Sequence, residues 1–217
     1  KKWFKPQAWN RMTVSAHGKR IVVHVNGTKT AELKNDPGRL EGHLALQLHG
    51  GQDMHVQFRN IELLAAAVKD TAAVSLFNGK NLDGWVVKCL LKDNDKRGCW
   101  KVVDGTITAK TPHGSKHNYI WLLTEKEYDD FELRMKVQTY ASSTGNSGIQ
   151  VRSRYDDEAG WLDGPQVDIN PPGPWRNGFI YDETREAKVW LWPDVGRPAN
   201  AKPEHAPKGW KWFHADD

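Results

Sequence analysis

Residues 20–33 read RIVVHVNGTKTAEL. Apolar Ile21, Val23 and Val25 alternate with Arg20, Val22 and His24, and Asn26-Gly27 then separates this run from a second one, Thr28–Leu33. A strand sends successive side chains to opposite faces, so the alternation describes an extended segment with one face on a core. Asn-Gly tolerates the positive φ angles that a two-residue hairpin demands, and the stretch is predicted to be an antiparallel hairpin. The same grammar continues outward through RMTVSA (11–16), HLALQLHG (43–50), MHVQFRNIEL (54–63), GCWKVVDGTITAK (98–110), YIWLLT (119–124), DFELRMKVQTY (130–140), SGIQVRSR (147–154), GPQVDIN (164–170), GFIYDE (178–183) and KVWLWP (188–193). Short strands separated by turn residues predict an all-β antiparallel sandwich or barrel. The one helix-like stretch, LAAAVKDTAA at 64–73, is read as a linker because a strand pattern resumes after it.

Composition narrows the class. The chain has 217 residues, 38% hydrophobic and 27% charged, enough for one sizeable core or two small ones. Gly and Pro are too few for a low-complexity chain, and no apolar run approaches the roughly 18 residues of a membrane span. A net charge of +4, with basic residues scattered among acidic ones, forms no stripe of the kind that tracks phosphates, so neither nucleic acid nor membrane insertion is expected. The 11 tryptophans are about four times ordinary usage and point toward sugars, whose rings stack on flat aromatic faces. Cys89 and Cys99 flank LLKDNDKRG and are either a loop-closing disulfide or two free thiols, since spacing alone does not decide pairing. The chain opens on Lys1-Lys2-Trp3 without an apolar signal region, so any secretion signal has been removed or was never part of it.

From Val74 to about Tyr181 the motifs SLFNGKNLDGW, CWKVVDGTI, TEKEYDDFELRMKV, GNSGIQVRSR, GPQVDIN and GFIYDE, in that order, resemble the 3-keto-disaccharide hydrolase family. The resemblance implies a concanavalin A-like jelly roll of two packed antiparallel sheets. In that family, segments like AWNRMTVSAHGKRIVVHVNG, GHLALQLHGG and VQFRNIEL normally follow the GFIYDE region, whereas here they occupy residues 9–63 and come first. The expected organisation is therefore one circularly permuted domain: residues 1–63 as its C-terminal part, 64–73 as linker and 74–217 as its N-terminal part. A slice across two tandem domains is the alternative. Permutation predicts that Lys1 and Asp217 lie close together.

Period-two facing sorts the candidate site. Val167 and Ile169 face the core, leaving Gln166, Asp168 and Asn170 outward; Gln150 and Arg152 oppose Ile149 and Val151; Gln47 and His49 oppose Leu44, Leu46 and Leu48. Outward polar residues are commonly plain solvated surface, Arg152 with Asp168 can be a structural cross-strand ion pair, and His49 before Gly50-Gly51 can be a turn residue. A retaining glycosidase needs two carboxylates about 5 Å apart, and Gln166–Asn170 carries only one; Asp182 or Glu183 would have to supply the other. The resemblance implies a different reaction, on sugars already oxidised to a ketone at C3: removal of the acidified C2 proton, elimination of the C1 substituent, and hydration. That chemistry needs a base, a positive group for the enolate oxygen and a proton for the leaving group. His49 is the candidate base, Asp168 the rival base or the ligand of a divalent cation shared with His49, and Arg152 the electrostatic stabiliser. Gln47, Gln150, Gln166, Asn170 and Glu183 would bind hydroxyls, and Trp161 and Trp175 would stack on the sugar. Trp85, Trp100 and Trp121 are read as core, while Trp190, Trp192, Trp210 and Trp212 fit either role. His113 and His117 have ligand-like spacing but sit in a loop without a third ligand. The expected function is cleavage of 3-keto glycosides or disaccharides in a periplasmic or secreted setting, with a sugar or glycoside as ligand. A non-catalytic carbohydrate-binding module, or an interaction domain of a tandem-repeat protein, is the alternative.

Overall fold

The computed structural model describes residues 3–65, 72–111, 114, 116–171, 176–185, 189–192 and 211–214. Its strands are β1 (Asn10–His17), β2 (Arg20–Val25), β3 (Thr28–Leu33), β4 (Gly42–Leu48), β5 (His55–Ala65), β6 (Val74–Ser75), β7 (Trp85–Cys89), β8 (Trp100–Val103), β9 (Thr106–Lys110), β10 (Ile120–Tyr128), β11 (Phe131–Thr139), β12 (Ser147–Asp156), β13 (Trp161–Asp163), β14 (Pro165–Ile169), β15 (Ile180–Asp182), β16 (Val189–Trp192) and β17 (Lys211–His214). One 3₁₀ segment, Leu91–Cys99, occupies the polar loop between the cysteines. The first sheet runs β3-β2-β1-β11-β5-β9-β8, with β6 on β5. The second runs β17-β16-β15-β14-β12-β4-β10-β7, with β13 on β12. All pairs are antiparallel except β16–β17, and the two sheets pack as the expected sandwich.

The opening hairpin forms as its sequence demands. Asn26 and Gly27 take φ of 50° and 81°, and the Asn26 side-chain carbonyl accepts from the Arg11 amide at 2.9 Å, tying the turn to β1. Inward residues of both sheets build one core: Met12, Val14, Val23, Phe58, Ile107, Leu133 and Val137 from the first, and Leu44, Leu46, Leu48, Ile120, Leu122, Ile149, Val167 and Ile169 from the second. Trp85 and Trp100 belong to it, as expected. No helix among the described residues is long and apolar enough to cross a membrane.

Strands from either side of residues 66–71 alternate in both sheets. β5 lies between β11 and β9, and β4 lies between β12 and β10. The stretch anticipated as a linker begins as the end of β5, and β6 folds back on that strand with Leu63 opposite Val74. Lys1 and Asp217, whose proximity the permuted order predicts, lie outside the described residues. Cys89 and Cys99 are both free thiols; Cys89 sits in the core, which pushes its thiol pKa up.

Strict alternation fails once where it matters. Between Gln150 and Ser153 the β12–β4 register slips, and Arg152 takes a φ of 50°. Gly42 makes the slip possible, because a Cβ on it would stand 2.4 Å from the Arg152 carbonyl carbon. A β-bulge of this kind re-aims a side chain. Arg152 turns away from the row containing Gln150 and is 0% exposed. Its Nε donates to the Asp129 carbonyl at 3.1 Å, its Nη2 pairs with Asp130 at 2.9 Å, and its Nη1 donates to the Gly18 carbonyl. The guanidinium thereby ties together the β10–β11 turn and the β1–β2 turn, which are neighbours because β1 pairs with β11 and the Gly18 N–H donates to Asp130.

Replacing Gly42 by Ala forces a Cβ into the bulge backbone, so Gly42→Ala is expected to destabilise the protein by roughly 1–3 kcal/mol, as overpacking does. Chemical denaturation checks this; an unchanged midpoint would show that the bulge is not held by that approach.

Candidate active site

The outer face of the second sheet is as buried as its inner one over part of its area. Register places Trp121, Gln47, Gly148 and Asp168 in one row across β10, β4, β12 and β14. Leu123, Ala45, Gln150, Gln166 and Tyr181 form the next row, reaching β15. Gly148 leaves a gap in the first row that the Gln166 side chain fills: a Cβ at Gly148 would lie 2.3 Å from Gln166 Cδ. Over the second row curls β13, whose Leu162 packs with Ala45, Trp121 and Leu123.

Polar groups converge beside this cover. Asp168 is 1% exposed. Its Oδ1 accepts from Asn146 Nδ2 at 2.9 Å and Gln166 Nε2 at 3.3 Å, and its Oδ2 pairs with Arg176 Nη2 at 2.9 Å. A buried carboxylate is tolerable because it is paired and hydrogen-bonded. Gln47 Nε2 donates to Glu183 Oε1 at 3.2 Å, and the Glu183 carbonyl accepts from Trp161 Nε1 at 2.8 Å.

His49 stands just past β4. Its Nδ1 is 2.9 Å from the Gly50 carbonyl, which can only accept, so Nδ1 carries the hydrogen and Nε2 is the acceptor. The Tyr119 hydroxyl donates to that Nε2 at 2.8 Å. Burial pushes the His49 pKa down; the Gly50 carbonyl and Asp168 oppose the shift, while Arg176 and His117 add to it. The Tyr119 phenol is driven well above its ordinary value, chiefly by burial, and so stays protonated. Tyr119 also stacks on Trp121 with centroids 5.6 Å apart and meets Trp161 edge-on at 4.8 Å.

Among the described residues, several buried polar atoms on and around this face have no partner: Oε1 of Gln47, Gln150 and Gln166, Asn146 Oδ1, Trp121 Nε1 and His117 Nε2. Buried polar groups are ordinarily hydrogen-bonded, so a cluster of exceptions marks where a ligand or water supplies the partner. The amides offer acceptors and the indole a donor, a complement to sugar hydroxyls.

His49, Asp168, Gln47, Gln166, Glu183 and Trp161 thus share one region. Gln150 lies under β13, its Nε2 donating to the Leu162 carbonyl at 3.1 Å. Asn170 is held through its backbone, its N–H donating to Asn177 Oδ1 at 2.8 Å. Arg152 is not among these residues: the bulge turns it toward the β10–β11 and β1–β2 turns, and the guanidinium on Asp168 belongs to Arg176. Trp175 and His113 lie outside the described residues.

Tyr119, Trp121, Asn146 and Arg176 were not anticipated here. Trp121 is buried as expected, but in the outer cluster rather than the main core. Period-two reading of YIWLLT carries the signal, since Tyr119, Trp121 and Leu123 oppose core residues Ile120 and Leu122. Nothing in the sequence announces the pairing of Arg176 with Asp168.

Asp168 and His49, the candidate ligands of a divalent cation, are each held by protein partners. Both Asp168 oxygens and both His49 nitrogens are engaged, and among the described residues no three His, Cys, Asp or Glu side chains gather to hold a metal ion.

No curated protein matches the chain. The family profile described as the 3-keto-alpha-glucoside-1,2-lyase-like domain matches residues 1–64 and 72–216. That coverage is nearly the whole sequence, and it includes every residue placed in the site above. The chain therefore belongs to the 3-keto-alpha-glucoside-1,2-lyase-like family.

Proposed function

We propose that this protein cleaves glycosides or disaccharides whose sugar carries a ketone at C3, by proton abstraction at C2, elimination at C1 and hydration of the product. The observation that carries this reading is the Tyr119 hydroxyl on the acceptor nitrogen of a neutral His49, beside the Asp168–Arg176 pair on a face of unpartnered amide oxygens. Family membership supports the substrate class.

The C3 carbonyl acidifies the hydrogen on C2. The Nε2 lone pair of His49 is already engaged by Tyr119, so the proton reaches His49 along that hydrogen bond. The Tyr119 oxygen takes the C2 hydrogen as its own moves to Nε2. Electrons from the C2–H bond pass onto the C3 oxygen, where the Arg176 guanidinium stabilises the enolate; its side chain is 23% exposed and is held by Asp168. Collapse of the enolate forms the C1–C2 double bond and breaks the C1–O bond, the leaving oxygen receiving the proton carried by His49 and Tyr119. Water then adds across the double bond, hydroxyl at C1 and hydrogen at C2, which restores the 3-keto sugar and completes a net hydrolysis. Gln47, Gln166 and Asn146 would bind ring hydroxyls, and Trp161 would present its face to the sugar. A periplasmic or secreted setting belongs to the same proposal.

A binding module is the second reading, and the unpartnered amide oxygens suit it equally. Incubation with a 3-keto glucoside and with the unoxidised glucoside separates the two. Cleavage of the first and not the second is expected; saturable binding of both without turnover supports the module.

His49→Ala and Tyr119→Phe are each expected to lower kcat on the 3-keto glucoside about 100-fold, the usual worth of positioned acid–base catalysis. Full activity in Tyr119→Phe with loss in His49→Ala would show that His49 acts without the relay. Arg176→Leu is expected to cost about 100-fold or more in kcat, as loss of an oxyanion donor does, whereas Arg152→Met acts on stability.

The base must be neutral, and burial lowers the pKa at which His49 protonates. The acid limb of the pH–rate profile is therefore expected below the ordinary histidine value of about 6.5, activity falling as pH drops through it. Tyr119→Phe removes a donor that favours the neutral ring, so its His49 titration, followed by NMR, shifts upward.

A further inference from the structure

We infer that a second cavity, sharing none of the site residues above, binds a small organic cation bearing a primary ammonium or guanidinium group. The cavity, about 680 Å³, lies between the Asp36–Arg39 loop, the β12–β13 hairpin and the end of β15. That volume suits a ligand of monosaccharide size or somewhat larger.

Its charges are mostly spoken for. Arg185 pairs with Asp156 and Asp163, each at 2.8 Å. Arg152 is taken by Asp130 and two backbone carbonyls, and Arg154 reaches Glu127 at 3.8 Å. Asp36, Asp182 and Arg39 remain, two carboxylates against one guanidinium. Asp36 is 6% exposed, its Oδ1 accepts from the Gly38 N–H at 3.0 Å, and its buried Oδ2 has no partner among the described residues. Asp182 accepts from the Thr184 N–H at 3.0 Å. Among the described residues no cation stands within ion-pair distance of either.

A buried carboxylate oxygen without a donor is costly, and a cationic donor relieves that cost. Burial and the neighbouring Asp182 hold the Asp36 carboxyl above its usual range, while the Gly38 N–H and Arg152 oppose the shift. Asp36 and Asp182 both line the cavity, and an ammonium offers three donors on a single charge to the carboxylates there. A divalent metal ion fits less well. Arg39 and Arg152 line the same cavity, and no three metal-ligating side chains gather among the described residues. Tyr155, Pro37 and Pro165 supply apolar wall for the body of the ligand.

The test is NMR titration of the ¹⁵N-labelled chain with glucosamine, cyclohexylammonium and glucose. Both amines are expected to shift the amides of Gly38, Gly164 and Thr184 saturably, and glucose at equal concentration to leave them in place. Asp36→Asn and Asp182→Asn are each expected to weaken amine binding at least tenfold; if Asp36→Asn does not fold, Asp182→Asn, at a partly exposed position, decides alone. Absence of saturable shifts at these amides, equal shifts with glucose, the same shifts produced by Ca²⁺ in place of the amines, or unchanged affinity in folded Asp182→Asn would each overturn the assignment.

Discussion

The seven residues of β4 are held between β12 and β10, and the rest of the molecule is arranged around that placement. Neither face of the strand is open to water over most of its length: Leu44, Leu46 and Leu48 fill the core, and Ala45 and Gln47 are equally buried on the other side. Both neighbours come from the far side of residues 66–71, so these pairings are long-range and cost loop-closure entropy before they return any stability. What repays that cost is apolar burial on the inner face. The outer face carries Gln47, and His49 follows directly on Leu48, the last core residue of the strand.

Electrostatics then separate the two arginines that could have served this face. Arg152 is carried off by a bulge and spent on joining two turns, where its positive charge satisfies backbone carbonyls as well as Asp130. Arg176 comes back from the loop after β14 and meets Asp168. The result is a fixed positive group beside a neutral histidine, an arrangement in which each keeps the protonation state the proposed chemistry needs. A protonated histidine there would face both desolvation and the arginine.

The unpartnered amide oxygens have a common origin. Gln47, Gln150 and Gln166 each spend their N–H₂ group on a carboxylate or a carbonyl within the protein, and this orients the oxygen away from that partner. These are three fixed acceptors on adjacent strands; β13 covers that of Gln150, and those of Gln47 and Gln166 are the ones the proposed function assigns to hydroxyl donors. The tyrosine and tryptophans packed against it exclude water from one side, which strengthens each hydrogen bond made on the other.

The alternation of apolar and polar residues, with Asn26-Gly27 at its turn, was enough to predict an all-β sandwich or barrel, which the family resemblance narrowed to the sandwich, and to put His49, Gln47, Gln166 and Asp168 on the face opposite the core. Period two is a local property of the chain, and the sequence determines it outright. The same rule applied to YIWLLT would have added Tyr119 and Trp121. It could not have placed Arg152, because the bulge there depends on the close approach of Gly42 from a strand more than a hundred residues away. Nor could it have paired Arg176 with Asp168, left Asp36 without a donor, or joined Tyr119 to His49. Those outcomes depend on which strands become neighbours and on where loops return, and only the packing of the two sheets decides that.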